Sequence, residues 1–159
     1  KKDFIKKLST TKTWSSTLKD KNDYQQHTIE TLVPKLDNGL YLIVGQTTDL
    51  KSDFFASALT QVTDIAIVNY QDNNQDFFQV INRNNGAPLT NTKVDLDYTY
   101  RNEKIHTKTT TTNSKGIIAL SKTNNYNRSN INLTVKTNDD TAYFGSYYMY
   151  NYKRSFYRS

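Results

Sequence analysis

From Val62 onward the chain repeats one unit, a short run of alternating or apolar residues closed by a cluster of turn-forming residues, at the spacing of an antiparallel sandwich. Val62-Thr63-Asp64-Ile65-Ala66-Ile67-Val68 opens the series, and Phe77-Phe78-Gln79-Val80-Ile81 follows, closed by a turn over Asn82 to Pro88. Lys93 to Tyr100 alternates cleanly, which places Val94, Leu96, Tyr98 and Tyr100 on one face of a half-buried strand. A turn at Arg101-Asn102-Glu103 leads into a Thr-rich strand, Lys104 to Thr112, and Asn113-Ser114-Lys115-Gly116 turns the chain into Ile117-Ile118-Ala119-Leu120. After an Asn-rich loop over Thr123 to Asn130, Ile131 to Val135 alternates again, and Asn138-Asp139-Asp140 turns into Thr141 to Tyr152. About seven strands result, the number in an immunoglobulin-like sandwich.

The residues before this series read differently. Phe4, Ile5 and Leu8 stand at helical spacing among lysines, which predicts one or two helical turns over Lys1 to Ser9. Thr13 to Leu18 reads as extended, and His27 to Val33 as a strand ended by Pro34. The turn Asp37-Asn38-Gly39 precedes the apolar strand Leu40 to Val44. Thr47 to Ser57 loses the pattern and reads as a linker or an edge. About three strands are too few to close a sandwich. Residues 1–60 are therefore expected to be the C-terminal part of a preceding β domain, and residues 61–159 a sandwich of their own, with the boundary near Thr60.

Composition narrows the function classes. With 12 Tyr and 7 Phe in 159 residues, the chain has enough aromatic surface to offset the entropy of ordering, so a folded domain is expected in place of disorder. It has no cysteine, which excludes disulfides, thiolate catalysis and Cys-based zinc sites. No window reaches the roughly 20 apolar residues of a membrane-spanning helix. Lys1 in place of Met leaves room for a signal sequence or lipid anchor ahead of these residues, so the compartment is not legible here. The net charge of +6 comes from dispersed Lys and Arg, with clusters at Lys1, Lys2, Lys6 and Lys7 and at Lys153, Arg154 and Arg158. No nucleic-acid-binding module accompanies it, and no nucleic-acid partner is expected.

A family resemblance rests on the order of several short motifs. Gly86-Ala87-Pro88-Leu89, then Thr92-Lys93-Val94-Asp95-Leu96, then Thr109 to Thr112 with Lys115-Gly116-Ile117, resembles the macroglobulin-domain pattern of bacterial alpha-2-macroglobulins. Thr92 departs from the Ala usual there. Trp14, Leu18-Lys19, Asp23-Tyr24, Leu32-Val33-Pro34 and Gly39 to Ile43 are similar to the strand pairs preceding such domains, and Val62 to Ile67 resembles the strand that opens the next one. The resemblance implies an all-β, immunoglobulin-like, macroglobulin-type sandwich in a large protease-trapping protein of tandem domains. Its partners would be neighbouring macroglobulin domains and, through the whole protein, a target protease. It also implies a periplasmic or cell-surface location, with any lipoprotein anchor outside these residues. A Cys-dependent thioester has no material here.

Individual residues give chemistry little to work with, and neither a catalytic residue, a metal ligand nor a cofactor is expected. His27 and His106 are the only imidazoles, each expected on a strand surface away from acidic clusters. Asp95 and Asp97 share the solvated face of one strand, whereas glycosidase carboxylates come from different elements around a cleft. The acidic turns Asp37-Asn38-Gly39 and Asn138-Asp139-Asp140 lack the spaced oxygen donors of a calcium loop. Tyr143 to Tyr152 is the most unusual run, with some tyrosines expected in the core and the remainder offered to a neighbouring domain or to carbohydrate. An Ig-like binding module of a cell-surface adhesin or glycan-binding protein is therefore the competing expectation.

Overall fold

A computed structural model describes residues 7–17, 22–47, 55–72, 74–100, 103–121 and 128–149; the side chains of residues 55, 100 and 103–107 lie outside that description. The chain divides into two compact units, Lys1–Leu36 and Asp37–Ser159.

In the second unit, β1 (Gly39–Gln46) and β2 (Phe55–Val62) form an antiparallel two-stranded sheet. The sandwich follows in β3 (Ile65–Gln71), β4 (Gln75–Asn82), β5 (Lys93–Tyr100), β6 (Glu103–Thr111), β7 (Ile117–Ser121), β8 (Arg128–Lys136) and β9 (Thr141–Met149). Its two sheets have the orders β3-β4-β7 and β6-β5-β8-β9, with every pairing antiparallel. The fold is an all-β, immunoglobulin-like sandwich of seven strands preceded by a β-hairpin. An outward–inward alternation along each strand builds the core from both sheets. Ile65, Phe78, Val80, Ile118 and Leu120 come from one sheet, and Val94, Leu96, Ile131, Leu133, Val135, Ala142 and Met149 from the other. Phe78, fully buried, meets the ring of Tyr147 edge-on at 5.3 Å and so links the layers.

The first unit departs from the expected strands. His27 to Val33 forms no ladder, and neither does Thr13 to Thr17. Alternation alone does not make a strand: Ile29 is exposed and Leu32 is 92% exposed, so no burial organises the segment. Among the described residues there is no helix; Lys7 and Leu8 are a turn and a bend, and the remainder of the expected helix, residues 1–6, lies outside the description. The pattern-poor stretch ahead of Ser57 passes directly into β2, whose pairing with β1 compensates for the weak strand preference of Ala56, Ser57 and Ala58. The expected boundary near Thr60 falls inside β2, and the first sandwich strand starts at Ile65.

Candidate functional site

Two residues, Thr63 and Asp64, join the hairpin to the sandwich, and side chains from three places in the sequence converge on them. Asp140, buried at the end of the β8–β9 turn, accepts a hydrogen bond from the Thr63 hydroxyl at 2.6 Å and from the Asp64 amide at 2.9 Å, both through Oδ2. Thr63 Oγ1 in turn accepts the Ile65 amide at 3.0 Å. The Asp64 carboxylate accepts Asn38 Nδ2 at 3.0 Å and Asn84 Nδ2 at 2.9 Å, and its backbone carbonyl accepts the Arg83 amide at 2.7 Å. The donors Asn38 and Asn84, with the nearby Arg83 charge, hold the Asp64 carboxyl below the ordinary carboxylate range.

A second clasp lies two residues before Thr63, near the end of β2. Gln61 Oε1 accepts the Tyr143 amide at 2.7 Å, and Gln61 Nε2 donates to the Tyr143 carbonyl at 3.3 Å, so one side-chain amide pairs with the backbone of β9 as a peptide group would. Short polar links at the end of β2 and just ahead of β3 replace what a flexible linker would leave to solvent.

Two of the motifs behind the resemblance meet in space. The Val80 amide donates to the Gly116 carbonyl at 2.8 Å, and the Leu89 amide to the Val80 carbonyl at 2.9 Å. Thr112, 2% exposed, donates through its hydroxyl to the Leu89 carbonyl at 2.6 Å while accepting the Thr92 amide at 2.9 Å. Asn113 Oδ1 accepts the amides of Lys115 and Ile117, which shapes the turn that delivers Gly116 in the left-handed region at φ +71°. Thr92, where the resembled pattern has Ala, is accommodated because its hydroxyl donates to the Thr90 carbonyl at 3.3 Å.

The residues weighed for chemistry do not converge. His27 Nε2 lies 2.6 Å from Asp23 Oδ1, in a loop and not on a strand, and this bond followed by that from the Gln25 amide holds the Asp23 carboxyl low. The side chain of His106 lies outside the description. Asp95 accepts Lys136 Nζ at 2.8 Å and the Thr109 hydroxyl at 2.6 Å, which holds its carboxyl low and raises the Lys136 ammonium. The register shifts beside this strand add their extra residue to β6 and β8, not to β5, so Val94, Leu96 and Tyr98 all face the core and Asp95 and Asp97 share the outward face. Among the described residues, no three His, Cys, Asp or Glu side chains gather as a metal-holding group. No helix of the described residues is long and apolar enough to cross a membrane.

The tyrosine run divides as its strand bulges. Ala142 and Phe144 face the core, register shifts against β8 follow, and Tyr147 and Met149 then face the core three and five residues beyond Phe144. Ser146, at φ +35°, sits at this change of phase. Tyr143 and Tyr148 are exposed, while burial raises the Tyr147 phenol; Tyr150 and Tyr152 lie outside the description. One feature had no signal in the sequence: Arg128 is buried at the start of β8, donating to the Ser121 carbonyl at 2.6 Å with its guanidinium 5.0 Å from the Tyr98 ring centroid.

Neither a family profile nor a curated protein matches the sequence. Solved structures do match. A fragment of Escherichia coli alpha-2-macroglobulin spanning domains NIE-MG1 has a TM-score of 0.50 at 18% identity, over 69% of this chain and 49% of that one. A longer fragment of the same protein, spanning MG0-NIE-MG1, gives 0.48 at 17% identity, over 68% of this chain and 33% of that one. Domains d3-d4 of the rat CD45 extracellular region give 0.32 at 9% identity, over 89% of this chain and 78% of that one. The chain thus spans a third to a half of the length of the alpha-2-macroglobulin fragments it resembles. The likeness is one of fold: seven strands in two sheets behind a hairpin form a macroglobulin-like sandwich.

Proposed function

We propose that this chain is a non-catalytic structural and interaction segment of a bacterial alpha-2-macroglobulin-like protein that traps proteases, working outside the cytoplasm. The observation that carries the reading is the pinned junction of Thr63 and Asp64. It joins a complete sandwich to a hairpin that leaves Leu40 50% and Leu59 69% exposed. A lone two-stranded sheet is marginal in water, and apolar side chains on it call for cover from further strands. In this reading the hairpin is the terminal part of a preceding β domain. The clasps of Asp140 and Gln61 then fix the angle between successive domains, which is what a trap built from tandem sandwiches requires of its frame. The order of the sequence motifs and the fold likeness support the same reading; catalysis has no part in it.

The test uses the full-length polypeptide that carries these residues. Incubated with a broad-specificity protease, a trap leaves cleavage of small peptides intact while digestion of large protein substrates is lost. If both activities are unchanged, the reading fails, and a glycan array then tests the exposed Tyr143 and Tyr148 as a binding surface.

A further inference from the structure

The outward face of the three-stranded sheet is unlike the remainder of the surface. Register places Ala66 beside Ile81 and lines up two rows across the sheet, Val68, Gln79 and Ile117 in one and Tyr70, Phe77 and Ala119 in the other. These eight residues alternate with the core residues Ile65, Phe78, Val80, Ile118 and Leu120, so they point away from the sandwich. None is charged, in a chain in which 23% of residues are. Val68 is 45% and Tyr70 42% exposed, and the rings of Tyr70 and Phe77 stack at 5.0 Å and 17°. The outward side of the other sheet carries the Lys136–Asp95 ion pair with Lys93, Thr109 and Thr111, an ordinary solvated face.

We propose that this face docks a second β-sheet, flat and uncharged, belonging to another domain of the same polypeptide. The proposal rests on the reading of the chain as one part of a multidomain array and adds the surface through which it is held.

Shape and polarity specify the partner. Sheets pack face to face at about 10 Å, with side chains of the two facing sheets interdigitating, and a row of Ala, Val, Ile and aromatic side chains is suited to that packing. The polar members do not oppose an apolar partner: the Gln79 amide donates to the Lys115 carbonyl at 3.1 Å and the Gln75 amide to Ser121 Oγ at 3.4 Å, both within this domain. Tyr70 and Phe77 each cover one face of the other's ring, so the pair offers an apolar ridge in place of an open platform for a sugar.

Size argues for a tether. Three strands about 4.8 Å apart, over five residues rising about 3.3 Å each, give a face on the order of 200 Å². A stable association between free proteins needs about 800 Å² from each partner. A second copy held by this face alone would dissociate, whereas a domain on the same chain meets it at an effective concentration of about millimolar.

The absence of cysteine makes the test direct. Val68→Cys and Ala119→Cys report on the face, and Thr111→Cys on the opposite sheet serves as control. Each is placed singly in the 159-residue chain and in the full-length polypeptide, and labelling by a water-soluble maleimide is followed at the peptide by mass spectrometry. The expected result is labelling at 68 and 119 about tenfold or more slower in the full-length polypeptide, with 111 unchanged. Equal rates in both contexts overturn the proposal. So does slow labelling already present in the 159-residue chain, which would assign the face to a second copy if dilution relieves it and to the chain's own residues if not. Protection at 68 and 119 without protease trapping leaves the docking surface standing and removes the trap; trapping without protection does the reverse.

Discussion

A methyl group added to Gly116 would stand 2.6 Å from the carbonyl oxygen of Val80, closer than any side-chain carbon approaches backbone. That carbonyl already accepts the Leu89 amide, and Pro88 Cβ lies at 3.0 Å from the same point, so nothing nearby can yield cheaply. Gly86 is the matched opposite, with a similar φ of +72° and nothing within 4 Å. Gly86→Ala should therefore cost only the backbone penalty of the left-handed region, about 1–2 kcal/mol. Gly116→Ala should cost about 2–5 kcal/mol, because overpacking is added. Urea melts of the two variants, compared at constant slope, read the difference directly.

Asp140→Ala removes the acceptor of one buried donor, the Thr63 hydroxyl, and one half-buried donor, the Asp64 amide. A loss of about 2–4 kcal/mol is expected, since one bond is to a charged acceptor and the amide is left unsatisfied. Thr63→Val should cost less, about 1–3 kcal/mol, and the double variant should fall short of the sum. Strict additivity in the cycle would mean that the two residues do not act together.

Gln61→Ala should barely move global stability, by about 1 kcal/mol or less, because the bond is near solvent. Its effect belongs to the local opening of β9. Hydrogen exchange at the Tyr143 amide should accelerate while amides of the buried core strands keep their protection. An unchanged Tyr143 rate would show that the clasp is not maintained in solution.

Acid should loosen the junction. The Asp64 carboxyl is held below its ordinary value of 3.8 in the folded chain. Between the folded value and 3.8 the unfolded chain binds more protons, so the contribution of Asp64 is complete above 3.8 and is lost as pH falls through the folded value. Asp95 behaves the same way through Lys136 and Thr109. Asp64→Asn should flatten the stability–pH curve below about pH 4 and leave its shape above pH 5 unchanged. A curve that keeps its full acid limb in Asp64→Asn would assign that limb to other carboxylates.

The sandwich strands were legible because two local signals coincide in them. Lys93 to Tyr100 and Ile131 to Val135 alternate with the period of a pleat, and turn residues such as Asn113 to Gly116 mark where each run must stop. Periodicity misled at His27 to Val33, where alternating side chains meet no partner strand. It was blind to the first residues of β2, whose small side chains become a strand only because β1 lies alongside. The junction was hidden for a different reason. Asp140 reads as one more acidic turn residue until folding brings it to Thr63, 77 positions away, and no local pattern encodes that meeting. The apolar outer face was hidden because Ala66, Val68 and Tyr70 look like the other half of a buried run, and only the sheet order shows that half facing outward.

The amide of Gln61 has a bearing on how sandwiches of this kind coexist at high local density. The last strand of a sheet presents a row of open backbone groups, and any foreign strand can extend the ladder there. At Tyr143 that row is already occupied, and by a group with no chain on either side through which pairing could propagate. An incoming strand must first evict the glutamine and then accept an interrupted register. A single uncharged side chain thus works as a stopper against runaway sheet growth.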